Sequence, residues 1–245
     1  MKLYGLIGYP LSHSFSKGFF AEKFKQEGIT GCAYENFPLA SISEFPALLA
    51  QHKANLHGLN VTIPYKEAVL PWVDELSPAA AQIKAVNCIR FEKDKRKGFN
   101  TDVIGFKRSL LPLIKPHHTH ALVLGTGGAA KAIMFVLEEL SIPFTVVSRS
   151  GQAGAIGYEA LDAAVIEAHT IIINTSPVGM YPNTNAAPAL PYDAITKHHL
   201  LYDLVYNPAE TLFLQKGAAK GAAVKNGHEM LVLQAEASWE IWNDL

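Results

Sequence analysis

The stretch "VLGTGGAAKA", residues 123–132, constrains this chain more than any other. It follows the apolar run "HALVL" and leads into "AIMFVLEEL", whose apolar residues recur at helical spacing. The order reads as strand, tight glycine turn, helix. Gly125 permits the turn, and Gly127 lets backbone approach a pyrophosphate. Ala130 allows the helix to pack closely on the strand, while the helix N-terminus attracts phosphates. The simpler alternative is a tight turn with no ligand. The next strand, "PFTVVSRS", narrows the choice. Nucleotide sites that select NAD often place an acid at its end, bonded to the adenosine ribose hydroxyl. This chain offers Ser148, Arg149 and Ser150 and no carboxylate. A guanidinium there pairs with a 2′-phosphate, which points to NADP. A plain surface arginine is the alternative.

Strand-like and helix-like segments alternate along the rest of the chain, so the expected class is α/β with a mostly parallel sheet. "KLYGLIGYP" reads as a strand entering a turn, and "FSKGFFAEKFKQEG" as a helix that stops at Gly28. "CAYENFPL" and "LHGLNVTIP" are further strands, with the short helix "FPALLAQHK" between them. "AVNCIRFEKDKRKGFNTD" reads as a hairpin whose mixed charges form a solvated tip. In the second half, "TIIINTSP" and "HLLYDLVYNP" are strands and "TLFLQKGAAKG" is helical. The last helix, "MLVLQAEASWEIW", carries Met230, Leu233, Ala237 and Ile241 on one stripe. Half of the residues are apolar (49%), which suits one large or two modest domains. The formal net charge is −1, with no basic excess to favour nucleic acid or an anionic membrane. Two cysteines make no disulfide framework, and no apolar run approaches the roughly 20 residues that span a bilayer. A soluble, cytoplasmic protein is expected. His117, His118 and His120 form "HHTH", read as a solvated loop, with no metal expected.

Polar residues gather at the ends of the apolar segments. "GYPLSHSFS" places Ser12, His13, Ser14 and Ser16 directly after the first strand. "NVTIPYKE" carries Asn60, Thr62 and Lys66, "AVNCI" carries Asn87, and "GFNTD" carries Asn100, Thr101 and Asp102. Strand ends beside a dinucleotide fold are where α/β proteins hold small polar ligands. A lysine there is a proton donor if a neighbouring acid orients it. Each residue also has a bland reading: Lys66 as a solvated lysine, the Asn-Thr-Asp triplet as a helix cap.

These segments, with "GTGGAAKA", "INTSPVGM", "YDLVYNP" and "GHEMLVLQAE", resemble the shikimate dehydrogenase family, in the family's order and across residues 5–236. The resemblance implies a two-domain fold. An N-terminal, mostly parallel α/β substrate domain is completed by the C-terminal helix (1–100 plus 227–245), and a Rossmann-like NADP domain covers 101–226. It implies reversible NADPH-dependent reduction of 3-dehydroshikimate to shikimate, a step of aromatic amino-acid synthesis. Lys66 then matches the catalytic lysine, with Asp102 beside it. Ser14 and Ser16 match hydroxyls that hold the substrate carboxylate, and Tyr206 helps at that end. Thr62, Asn87, Asp102 and Gln234 match residues that read the ring hydroxyls; Asn60 is counted with the substrate-binding residues, as a contact or, in preference, as a brace of the loop. Gly125, Thr126, Gly127, Gly128 and Ala129 match one cofactor loop, and Ser148, Arg149 and Ser150 another. Leu204 and Gly227 match positions near the nicotinamide. The partner is a small molecule and the expected assembly a monomer or homodimer. A quinate/shikimate dehydrogenase with relaxed NAD use and a non-catalytic sensor of shikimate-type ligands are the alternatives.

Overall fold

Apolar strands that alternate with amphipathic helices fold here into two separate sheets. The structure is a computed structural model and describes residues 1–12, 14–93, 95–149, 151 and 154–245. It divides into one unit of Met1–Ile104 with Gln234–Leu245, and a second unit of Gly105–Leu233.

The first unit opens with strand Lys2–Gly8 (β1), helix Phe15–Gln26 (α1), strand Cys32–Pro38 (β2) and helix Phe45–His52 (α2). Strand Leu56–Val61 (β3), the single-turn helix Tyr65–Ala68 (α3) and strand Glu75–Leu76 (β4) follow. Helix Pro78–Ile83 (α4) leads into strands Cys88–Glu92 (β5) and Lys95–Phe99 (β6), and helix Thr101–Leu110 (α5) begins in this unit and ends in the second. The sheet order is β2-β1-β3-β5-β6-β4. β1 pairs in parallel with β2 and β3, whereas β5 runs antiparallel to β3 and β6. The expected hairpin is therefore present; Asp94 at its tip lies outside the described residues.

Because strand side chains alternate between faces, β1 feeds two cores. Leu3 and Ile7 join Phe45, Leu59 and Ile89 on one side. Tyr4 and Leu6 join Phe20, Tyr34, Trp239 and Trp242 on the other.

The second unit holds strand Ala121–Leu124 (β7), helix Gly128–Glu139 (α6), strand Phe144–Val147 (β8), strand Ala155–Ile156 (β9) and helix Ala163–Ala168 (α7). Strands Ile171–Asn174 (β10) and Leu200–Asp203 (β11), helix Leu212–Ala218 (α8) and strand Ala223–Lys225 (β12) complete it. Every pairing is parallel, in the order β12-β11-β10-β7-β8-β9. β7, β10 and β11 are buried along their whole length, as strands covered on both faces are. Parallel pairing puts all their C-terminal ends on one edge, so the turns after β7, β10 and β11 lie side by side.

Helix His228–Asn243 (α9) begins in the second unit and ends in the first. Its buried face differs from the expected stripe. Met230 and Ala237 are buried as expected, together with Ala235, Ser238, Trp239 and Trp242, but Leu233 and Ile241 are only half-buried. Aromatic area decides this: Trp239 and Trp242 pack on Tyr4, with ring centroids 5.2 and 4.9 Å away. The histidine loop also departs from its expectation. His117 and His120 are exposed, but His118 is buried and its Nδ1 accepts from the Lys115 backbone at 3.1 Å. Among the described residues no helix is long and apolar enough to cross a membrane.

Candidate active site

In the first unit, register brings polar segments to one sheet edge. β1 and β3 run in parallel with Ile7 opposite Val61, so the turns after them are neighbours. Thr62 N donates to Ile7 O at 2.9 Å, and Tyr9 N to Ile63 O at 3.1 Å. β5 is antiparallel, with Cys88 opposite Asn60, so Asn87 enters at the same edge. β6 returns with Phe99 opposite Cys88, which delivers Asn100, Thr101 and Asp102 there.

At that edge Lys66 Nζ donates to Asp102 Oδ2 at 2.7 Å, with both side chains half-buried. Lys66 sits on α3, and its carbonyl accepts from Val86 N at 2.8 Å, which ties it to the segment carrying Asn87. Asn87 Oδ1 accepts from Thr101 N at 2.6 Å and from Thr101 Oγ1 at 3.1 Å. The buried amide thus anchors the start of α5, and Asp102 with it. Thr101 Oγ1 lies 3.4 Å from Gln234 Oε1 and 3.3 Å from Ser238 Oγ, so Gln234 belongs to the same cluster.

Asn60 is 5% exposed and bonded on all sides. Its Oδ1 accepts from Tyr34 OH at 2.9 Å, and its Nδ2 donates to Asn87 O at 3.2 Å and Ser238 Oγ at 2.9 Å. Those bonds leave it a brace. Ser14 is different. It precedes α1 without capping it, and its buried Oγ makes no hydrogen bond among the described residues. A buried hydroxyl with no partner is costly unless a ligand supplies one. Ser16 is half-buried and bonds Tyr34. Burial drives the Tyr34 phenol pKa far up, with the Ser16 bond acting against it. Thr62 is half-buried at the same edge, and His13 lies outside the described residues.

In the second unit, Gly125 adopts φ +120°, and a Cβ there would lie 2.6 Å from Thr175 Oγ1. Thr175 N and Oγ1 both donate to Leu124 O, at 3.0 and 2.8 Å, which holds this turn against the one after β10. At Gly127 and Gly128 an added Cβ meets nothing within 4 Å. Open space faces the first amides of the twelve-residue α6 there, which is what a phosphate needs. Thr126 and Ala129 flank that opening in sequence, both at least partly exposed. Ser148 is buried and its Oγ is unpartnered among the described residues. Burial raises the pKa of the Tyr158 phenol, and the exposed Arg149 guanidinium acts against that rise. Ser150 lies outside the described residues. An open glycine turn, an orphan serine hydroxyl and an exposed guanidinium without a neighbouring acid on β8 fit a 2′-phosphorylated dinucleotide.

Leu204 and Gly227, far apart in the chain, are brought into contact: a Cβ on Gly227 would lie 2.1 Å from Leu204 O. Gly227 N donates to Val205 O at 3.2 Å. Tyr206, next in the chain after Val205, is 39% exposed.

Asp203, Asn174, Thr211 and Ser238 escaped the sequence reading. Asp203 is fully buried and accepts from Asn174 Nδ2 (2.9 Å), Val205 N (3.0 Å) and Thr211 Oγ1 (2.6 Å). Burial pushes its pKa from 3.8 to about 6, and the three donors oppose that rise. Ser238 links Asn60 and Thr101 in the first unit. For Asp203 and Asn174 the available signal was an acid or an amide closing an otherwise apolar strand, "LLYD" and "IIIN".

The family described as shikimate dehydrogenase substrate binding domain matches residues 6–89. A shikimate dehydrogenase (NADP(+)) of Methanococcus maripaludis is 37% identical over 265 residues, covering 100% of this chain and 92% of that one. One from Carboxydothermus hydrogenoformans is 35% identical over 259 residues, covering 98% and 91%. Among solved structures, shikimate 5-dehydrogenase from Thermus thermophilus in complex with NADP(H) and shikimate superposes with a TM-score of 0.88. It is 30% identical, and the match covers 100% of this chain and 94% of that one.

Proposed function

Since the chain belongs to the shikimate dehydrogenase family, we propose that it reduces 3-dehydroshikimate to shikimate, reversibly and with NADPH. The first unit takes the substrate and the second the cofactor. The observation that carries this reading is the Lys66–Asp102 pair at 2.7 Å on an edge crowded with hydroxyl and amide side chains.

NADPH, when bound, supplies a hydride from its nicotinamide. The chain's own groups do the rest. Negative charge develops on the ketone oxygen as its carbon is reduced. Lys66 Nζ gives that oxygen a proton, completing the alcohol, and takes it back in the oxidation direction. Asp102 accepts from Lys66 Nζ at 2.7 Å and so holds the ammonium in place. Ser14 Oγ, buried and unpartnered among the described residues, donates to the substrate carboxylate with Ser16 two residues on, and Tyr206 is assigned to the substrate as well. Thr62, Asn87 and Gln234 read the ring hydroxyls, and Asn60 braces the segment that carries Asn87. Gly125 to Ala129 cradle the pyrophosphate, Ser148 to Ser150 take the 2′-phosphate, and Leu204 and Gly227 shape the nicotinamide end.

Neither the sensor nor the quinate alternative is favoured by the relatives, whose names specify shikimate and NADP(+). Charged metabolites do not cross a bilayer unaided, which suits a cytoplasmic enzyme, and the assembly is read as a monomer or homodimer. The test is turnover. Purified protein with shikimate and NADP+ should raise the NADPH absorbance band. Lys66→Ala should lower kcat by roughly 10²–10⁴-fold, the usual contribution of a general acid–base, with a much smaller change in KM. Near-normal turnover in that variant would remove Lys66 from the chemistry. No signal with wild-type protein would overturn the enzyme assignment.

A further inference from the structure

Asp203 is the one carboxylate among the described residues with no exposed surface, and neither the hydride nor the proton transfer uses it. A buried charge is costly, and chains keep one only where hydrogen bonds hold it. Here those bonds reach three loops. Oδ1 fixes Val205 N, the residue after Leu204. Oδ1 also takes Asn174 Nδ2, and Oδ2 takes Thr211 Oγ1. Asn174 passes the constraint on: its Oδ1 accepts from Ser176 N at 3.1 Å and Ser176 Oγ at 2.6 Å, and its backbone O accepts from Leu204 N at 2.9 Å. Thr175, next in the chain, bonds Leu124 O and meets Gly125. Thr211 also caps α8 through Leu214 N.

We propose that Asp203 is a positioning residue: its carboxylate locks the turns after β7, β10 and β11 into one frame, which sets where Leu204 stands at the nicotinamide end of the cofactor site. The inference rests on the reading of the second unit as the NADP domain. The carboxylate touches no ligand itself. It acts because three donors need three lone pairs in fixed directions, which a carboxylate supplies and no apolar group does.

The experiment measures NADPH affinity by calorimetry without substrate, so it reads the frame separately from turnover, which reads the enzyme assignment. Asp203→Ala should weaken NADPH roughly tenfold or more, because losing the frame displaces loops whose placement matters at the 1 Å scale. Shikimate affinity, measured without cofactor, should fall by less than NADPH affinity, because of the residues assigned to the substrate only Tyr206 follows directly on this frame. Asp203→Asn keeps an oxygen for Asn174 and Val205, and should restore NADPH affinity to within about threefold of wild type. A folded Asp203→Ala protein with wild-type NADPH affinity would overturn the proposal. So would equal impairment of Asp203→Asn and Asp203→Ala, since charge rather than placement would then matter. If Asp203→Ala does not fold, Thr211→Val against Thr211→Ser decides. Serine keeps the hydroxyl and should bind NADPH normally, valine should bind roughly threefold more weakly, and equal affinities would overturn the proposal.

Discussion

Adding one methyl group at Gly227 tests the backbone geometry of the cofactor half most directly. A Cβ at this buried position would sit 2.1 Å from Leu204 O, 2.6 Å from Leu204 C and 3.1 Å from Leu204 Cα. A tolerable carbon-to-oxygen contact is about 3.3 Å, so Gly227→Ala demands a separation of about 1 Å. The atoms in the way are backbone, so no rotamer change relieves them. Leu204 itself is held by its N–H to Asn174 O, and the next residue, Val205, by its N–H to Asp203. Overpacking of this kind costs roughly 1–3 kcal/mol, and a 1 Å misplacement near reacting groups costs about 10²-fold in rate. The variant should therefore melt a few degrees lower, and its kcat/KM for NADP+ should fall about 10²-fold. KM for shikimate should change little. Thermal melts and initial rates at the NADPH absorbance band measure both. Wild-type kcat/KM at an unchanged Tm would refute the close contact of Leu204 with Gly227. A lowered Tm with unchanged kcat/KM would refute the placement of Leu204 at the nicotinamide end.

Arg149→Ala should raise KM for NADP+ by about 10–100-fold, the worth of a charge-assisted bond, and leave KM for NAD+ nearly unchanged; an equal rise for both cofactors would exclude 2′-phosphate recognition. Asn60→Ala should cost about 3 kcal/mol in urea unfolding, because it removes three buried hydrogen bonds, one from Tyr34 OH and two to Asn87 O and Ser238 Oγ; a loss below about 1 kcal/mol would contradict the bracing role. Stability should also carry the signature of Asp203, whose folded pKa of about 6 lies above its ordinary 3.8. The folded state then binds the extra proton, so this contribution is full below about pH 4 and lost as pH rises through about 6, by about 3 kcal/mol in all. Tyr192, held protonated by burial and pushed further up by Asp203, does not titrate across that window. The stability difference between wild type and Asp203→Asn should shrink accordingly from about pH 4 to about pH 7, and a pH-independent difference would contradict the raised pKa of the carboxylate.

Much of this protein is written locally. The glycine turn before α6, the β5–β6 hairpin and the acid-free end of β8 follow from short-range conformational preference and side-chain chemistry, which a few adjacent residues carry by themselves. The ordered motifs also pointed to Lys66 and Asp102, which the fold does bring to 2.7 Å. What tertiary structure alone decided is which polar groups find partners. Asn60 is bonded on every side because Tyr34, Asn87 and Ser238 arrive from other parts of the chain, whereas Ser14, equally polar in sequence, is left without one among the described residues. His118 is buried beside exposed His117, and α9 turns its tryptophans inward instead of Ile241. Asp203 reads as an ordinary strand-end acid until Asn174 and Thr211 close around it. Periodicity and turn chemistry are properties of neighbours along the chain; burial and hydrogen-bond satisfaction are properties of neighbours in space, and only folding chooses those.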